Sequence, residues 1–335
     1  MPIYFSEKDY ESILEHNSFE RKVFVPNEFF SDWLEVIDVD EDKKSSKHIA
    51  FGYSYYYLIT YLYRYTVYGK QTEYSLTEDT IKKMLTVSPH SKGKNGVNYI
   101  SKRGGLLEKI GYIRKTKDFP VMHEFYQGDQ EVIFRYISEL KEEGLSSDYE
   151  TNYRNYTISE PIHLTNGYKV DTGDGYDEYI NPTKDEIDDT TMIPIDVFIF
   201  CVTREALGIE AFYIYSILKY YSSYFGGKWN CPLDKLPEAF GMKIDTIKRK
   251  MKSLEEHNMI FNSHSPYVVG LRDYTDKTIL ANSYSTFGYS NFIKNESEML
   301  KVEVRKVYSP ESYEKLVGFS RIDDYGDDDD FVDLS

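Results

Sequence analysis

The chain has 335 residues, 41% of them hydrophobic, with 33 Tyr, 19 Phe and a formal net charge of −16. That length allows about two domains with proper cores, and the charge argues against indiscriminate binding to a polyanion. No apolar leader follows Met1 and no run reaches the roughly 18 uncharged apolar residues of a membrane span, so neither a signal peptide nor a membrane partner is expected. Cys201 and Cys231 form no CxxC pair and read as reduced residues of a cytoplasmic protein.

In chain order, residues 1–22 read as a polar N-terminal arm or helix. A first module is expected over 23–120. It opens on Val25-Pro26-Asn27-Glu28-Phe29-Phe30, and Asp38–Lys47 follows as a charged loop. Phe51–Tyr68 carries Tyr and Leu on nearly every side, the pattern of a helix buried all round. The next helix starts at Ser75-Leu76-Thr77-Glu78, with Ser75 or Thr77 as its cap, Glu78 and Asp79 at its positive end, and Ile81 and Leu85 facing the core. Ser88–Asn95 interrupts with Lys92 and Lys94, either as a phosphate-contacting loop or as a solvated one. From Ile81 to Lys117 ten Lys/Arg stand against a single acid, Glu108.

Residues 121–190 read as a connector. Glu131–Glu143 has the apolar spacing of an amphipathic helix, suited to bracing two modules or to a dimer contact. Tyr156–Leu164 reads as a strand broken by Pro161. Gly167–Thr190, acidic and glycine-bearing, reads as an interdomain linker. Its Asp171, Asp174 and Asp177 do not make an EF-hand, because Gly173, Gly175 and Pro182 fall where ligands are needed.

A second module is expected over 191–270 and opens on Ile193-Pro194-Ile195-Asp196-Val197-Phe198, matching the first. Its long helix is Arg204–Phe225, stopped by Gly226-Gly227. Asp234 is expected to cap a short helix with Pro237 in its first turn and Leu236 and Phe240 in the core. Asp245 is expected to cap a helix over Thr246–His257. A hairpin follows over Ile260–Val269, with Asn262–Pro266 as its turn. Residues 271–321 form an extension, with a strand over Lys301–Val307 and a short helix over Ser309–Leu316. Residues 322–335 form an acidic tail expected to be disordered.

The two modules close alike, on Leu107-Glu108-Lys109-Ile110-Gly111-Tyr112-Ile113 and Leu254-Glu255-Glu256-His257-Asn258-Met259-Ile260. Aligning them puts Ile100 on Ile247, Gly104 on Met251, Leu107 on Leu254 and Ile113 on Ile260. The spacing defines one buried helix face. Ser101, Lys102 and Arg103 then point outward in the first copy, and Lys248, Arg249 and Lys250 in the second. Gly111 and Asn258 suit the left-handed residue that ends a helix. In the first copy Gly104-Gly105 falls inside the helix, at a cost of roughly 1 kcal/mol per Gly relative to Ala. Helix, helix, basic helix and strand hairpin, written twice, is the order of two winged-helix domains in tandem: mainly α with small β wings, an α+β fold.

Catalytic signatures are missing. The seven histidines form no HExxH or HxxR, and no GxxxxGK[ST] loop or GxSxG elbow occurs. No catalytic residue, metal or cofactor is therefore expected. The second module, from Ile193-Pro194 to Asn258-Met259-Ile260, resembles the winged-helix domains of replication initiators and regulators of low-GC Gram-positive plasmids and phages. The five alanines, at 50, 206, 211, 239 and 281, fit the AT-rich coding bias of such a source. The resemblance covers about 80 residues per copy and rests on pattern rather than on an invariant motif. It implies double-stranded DNA as partner, contacted by Thr246, Lys248, Arg249 and Lys252 in the second copy and by Asn98, Ser101, Lys102 and Arg103 in the first, with Lys92 and Lys94 in the preceding loop. The function expected is sequence-specific control of replication or transcription of a plasmid, phage or similar element. A homodimer, or a replication or transcription protein, is the further partner considered. The alternative is a winged-helix interaction scaffold or an acidic DNA mimic.

Overall fold

The computed structural model describes residues 2–14, 22–38, 45–69, 75–126, 131–146, 156–162, 168–171, 177–180, 190–265, 267–268, 281–302 and 307–308. Helices and small, mostly antiparallel sheets make up the fold. The first half runs α1 (Glu7–Ile13), β1 (Lys22–Pro26), α2 (Phe29–Asp38), α3 (Ser46–Arg64), α4 (Glu78–Met84), α5 (Asn98–Ser101), α6 (Leu106–Lys109) and β2 (Ile113–Thr116). Then come β3 (Pro120–Tyr126), β4 (Glu131–Tyr136), α7 (Ile137–Glu142), β5 (Ile158–Pro161), β6 (Tyr168–Asp171) and β7 (Asp177–Ile180). The second half runs β8 (Thr190–Pro194), α8 (Ile195–Val202), α9 (Gly208–Tyr224), β9 (Trp229–Cys231), α10 (Leu236–Phe240), α11 (Ile244–Glu256), β10 (Ile260–Asn262), β11 (Tyr267–Val268), β12 (Asn282–Thr286) and β13 (Val307–Tyr308).

The strands that open the two halves pair with each other. β1 and β8 are antiparallel, Lys22 facing Pro194, Pro26 facing Thr190, and Phe24 facing Met192 at the centre. The matching ends of the two segments exchange places across this ladder, as a local two-fold axis through Phe24 and Met192 requires. Beneath it α3 packs on α9. Every residue of α3 from His48 to Arg64 is buried, as a helix apolar all round demands. Phe30 and Phe198, which occupy matching positions, each touch both central helices: Phe30 lies against Tyr53 and Tyr213, Phe198 against Tyr57 and Phe212. Polar links cross the same junction. The Tyr57 hydroxyl donates to the Ile193 carbonyl (2.9 Å), Thr191 Oγ1 to Asn27 Oδ1 (2.6 Å), and the Lys243 N–H to Ser46 Oγ (3.2 Å). One continuous core results, and α1 belongs to it through buried Tyr10 and Ile13.

Several expected elements take another form. The helix expected over Glu131–Glu143 is half strand: β4 pairs with β3, and only Ile137–Glu142 is helical. The junction of the halves is made instead by β1, β8, α3 and α9. Gly167–Thr190, expected as a linker, contains the β6–β7 hairpin, which joins β3 and β4 in a four-stranded sheet. The hairpin expected over Ile260–Val269 does not form. β10 pairs with β12, more than twenty residues on, and β12 pairs with β9, while Tyr267–Val268 lies parallel to Val307–Tyr308. The first half has the same late return, since β2 pairs with β5. Of the remaining expectations, 303–306, the short helix over Ser309–Leu316 and the acidic tail lie outside the described residues, as does most of the charged loop over Asp38–Lys47.

Local caps follow the sequence in part. Thr77 caps α4, accepting from the Thr80 N–H (3.3 Å). Gly111 and Asn258 both adopt the left-handed conformation, φ 80° and 53°. Each is followed by the same bond back into the helix, Tyr112 N–H to the Leu107 carbonyl and Met259 N–H to the Leu254 carbonyl. Asp245 does not cap α11, which begins one residue before it with Lys243 as its cap position. Asp234 does not cap α10 either; it lies in a single turn of 3-10 helix ahead of it.

At Gly52 of α3 an added Cβ would lie 2.1 Å from the Trp33 ring. The Trp33 indole donates to the Ile49 carbonyl (2.9 Å), so the ring cannot withdraw freely. Gly52→Ala, which in an unpacked helix would stabilise by roughly 1 kcal/mol, is expected here to destabilise by about 1–3 kcal/mol through overpacking. Urea unfolding checks this, and a midpoint at or above that of the parent would mean that α2 does not seat on α3 at this point.

Candidate nucleic-acid interface

In the second half, α11 is a continuous helix with one apolar side. Ile247, Met251 and Leu254 are buried, while Lys248, Arg249 and Lys252 are exposed and Thr246 is half-buried. Lys252 has Glu256 one turn on at 3.7 Å, a solvated pair of little energetic weight. Lys250, expected to point outward, is buried. Its ammonium donates to the Leu207 carbonyl (2.6 Å) and the Ala206 carbonyl (3.0 Å), at the turn before α9, and lies 4.0 Å from Glu210. Burial pushes this ammonium below its ordinary range, and Glu210 opposes the shift. The reason is angular: Lys250 follows Ile247 by three residues and precedes Leu254 by four, so it shares their face.

In the first half the expected basic helix is broken. α5 ends at Ser101 and α6 starts at Leu106, with Gly104 at φ 68° between them. A Cβ on Gly105 would fall 2.7 Å from the carbonyl oxygens of Ile100 and Lys102, so the chain doubles back more tightly than any other residue allows. Lys102 and Arg103 stand exposed on this turn. Ser101, expected to face outward, is fully buried and donates to Glu78. Asn98 is exposed but accepts from Lys82 Nζ (2.6 Å). Lys92 is exposed in the loop before α5, and the Lys94 side chain lies outside the described residues.

Glu78 is the hub of this region. Lys115 Nζ lies 3.0 Å from its carboxylate, the Tyr55 hydroxyl donates to it (2.8 Å), and Lys82 stands 3.9 Å away. Burial works to raise the Glu78 carboxyl, but Lys115, the Ser101 hydroxyl and Lys82 outweigh it and hold the group below its ordinary value. Lys82 and Lys115 thus belong to the interior, although the sequence counts them in the basic run. The i, i+4 spacing of Glu78 and Lys82 was the available sign. Glu78 itself lines a cleft of about 420 Å3, with Thr77, Lys102, Arg103, Lys115, Tyr156 and Thr157.

No cluster of three or more His, Cys, Asp or Glu able to hold a metal occurs among the described residues. Cys201 and Cys231 are both free and buried. No helix among the described residues is long and apolar enough to cross a membrane. The chain matches no family model, no curated protein and no solved structure.

Two outcomes separate the interior cations from the exposed ones. Lys250→Ala strands Glu210 and two carbonyls, and is expected to destabilise by about 3 kcal/mol. Lys248→Ala and Arg249→Ala should stay within about 0.5 kcal/mol of the parent. Equal melting temperatures for all three would contradict the placement of Lys250. The Glu78 network carries a pH signature. Its stabilisation is complete above about 4.5, the carboxyl's unperturbed value, and is lost as pH falls through the lower folded value. Urea midpoints measured between about pH 3 and about pH 6 should therefore fall more steeply for the parent than for Glu78→Gln; parallel profiles would remove Glu78 from the ionised network.

Proposed function

We propose that the chain is a non-enzymatic, sequence-specific double-stranded DNA-binding protein that controls replication or transcription of a plasmid, phage or similar element. The observation that carries the reading is α11: a helix seated by Ile247, Met251 and Leu254 that turns Lys248, Arg249 and Lys252 to solvent. Its setting supports the same reading. The order α9, β9, α10, α11, β10, β12, with the sheet β10-β12-β9, would suit a winged helix, with Tyr267–Val268 of the intervening segment paired to β13 instead. In that arrangement the basic helix enters the major groove and the strand loop meets the backbone. The loop between β10 and β12 would be the wing.

The first half is proposed as the divergent partner of this module. Its contact with DNA would come from Lys102 and Arg103 on the Gly104-Gly105 turn, with Lys92 alongside, rather than from a helix in the groove. Ser101 has no part in it. The fixed junction of the two halves, rather than linker length, would set the distance between the two contacts.

Genomic and plasmid fragments retained by the purified protein, once sequenced, should enrich one repeat-bearing region. On that fragment Lys248→Ala combined with Arg249→Ala should weaken binding by about 1–3 kcal/mol for each side chain that no longer reaches a base edge. Where the truncated side chain met a phosphate instead, the salt dependence should flatten. Undiminished affinity of this folded variant in a gel-shift titration would sink the assignment.

A further inference from the structure

α11 carries three acids, Asp245, Glu255 and Glu256. Two of them are engaged. Glu255 turns inward, where His264 pairs with it and the Asn262 amide donates to it (3.1 Å), and Glu256 stands 3.7 Å from Lys252. Asp245 is exposed, and its side chain makes no hydrogen bond or ion pair with any described residue. It is not spent on the helix end either, since Lys243 holds the cap position and no side chain caps the helix. The helix fixes its direction. At 3.6 residues per turn, Lys248, Arg249 and Lys252 lie within about 60° of Asp245, while Ile247, Met251 and Leu254 lie about 120–180° away. Thr246 stands about 100° round, on the flank, and is half-buried. Asp245 is thus at the centre of the solvated basic side and at its leading end. Just ahead of it the Lys243 N–H donates to Ser46 Oγ, so this end of the helix is tied to the first half.

We propose that Asp245 is a specificity-determining residue that reads cytosine, its carboxylate accepting from the exocyclic N4 amino group of one cytosine in the major groove. The inference rests on the DNA reading of α11 given above. A carboxylate on a surface that meets DNA is repelled by every phosphate, so it adds to binding only where a donor faces it. The first residues of a groove-reading helix are the ones that meet base edges. In the major groove cytosine contributes only the N4 donor. Adenine carries its N6 donor beside the acceptor N7, and guanine and thymine present acceptors. Asp245 therefore selects for cytosine and against the other three bases, beside cations that suit guanine and phosphate. The helix dipole also favours an acid in the first turn. That preference is indifferent to where the side chain points and to the sequence of the DNA, so base preference separates the two roles.

Selection by the full chain from a pool of random duplexes, followed by sequencing, gives its base preferences position by position. The parent should show a position where cytosine is preferred over each other base by roughly fivefold or more, the discrimination of one good base contact. Asp245→Ala should level that position and keep the preferences at the others. Asp245→Asn should move it to adenine, because a side-chain amide donates to N7 and accepts from N6. Unchanged preferences in Asp245→Ala, or in the isosteric Asp245→Asn should the first variant not fold, would overturn the inference and leave DNA binding standing. A loss spread evenly over all positions would also overturn it, since Asp245 would then serve only to hold the helix. A parent that enriches no sequence at all would remove the function proposed above and this inference with it.

Discussion

The contact of α3 with α9 is the constraint on which the rest of the molecule depends. The central helix α3 is written in tyrosine rather than leucine because its rings also bond outward from that contact. A buried phenol supplies a large apolar ring and a hydroxyl that reaches the helix's surroundings. Tyr57 ends on the Ile193 carbonyl, Tyr65 on the Lys22 carbonyl, Tyr55 on Glu78 and Ser159, and Tyr63 on Tyr136 and Glu160. The helix is therefore bonded to the opening strands, to the basic region and to β4 and β5 at once. Burial raises the phenols of Tyr55 and Tyr57 above their ordinary value, so they stay protonated and remain donors.

The β1–β8 ladder gives this junction a symmetry that a tethered pair of domains would lack. With Phe24 opposite Met192 and the segment ends exchanged, each half presents the same edge to the other. Such self-complementary contact is the geometry of a two-fold dimer, here written within one chain. Beyond this ladder the halves differ. α11 keeps an unbroken helix with a solvated basic side, whereas the matching segment breaks at Gly104-Gly105 and returns on itself.

Period-3.6 patterning and cap chemistry made much of this legible in the sequence. The buried α3, the core face of α11, the Thr77 cap and the left-handed Gly111 and Asn258 all follow from local rules. What the sequence hid was pairing at a distance. Ile260–Asn262 reads as the first arm of a tight hairpin because Asn262–Pro266 looks like a turn, yet its partner is Asn282–Thr286. Glu131–Tyr136 has helix spacing but takes a strand, since β3 offers it an edge. Lys250 and Ser101 sit in stretches that look polar, and only their angular position relative to Ile247 and Val97 marks them as interior. Charge counted along the chain therefore overstated the basic surface of the first half, where Lys82 and Lys115 are spent on Glu78.

That smaller basic surface bears on how the two halves would divide their work on DNA. Backbone contacts fix register and orientation, while base-edge contacts carry sequence information. A base-reading element must enter the groove, and a helix of three turns such as α11 can do so with Thr246, Lys248, Arg249 and Lys252 along one side. Lys102 and Arg103 stand on a tight turn over a cleft lined also by Glu78, Lys115, Thr77, Tyr156 and Thr157. Two exposed cations on a turn are suited to phosphate oxygens, not to the edges of successive bases. Under the DNA reading, discrimination between sites would then reside in the second half. The first half would contribute affinity, salt dependence and a fixed offset along the duplex, transmitted through α3 and α9.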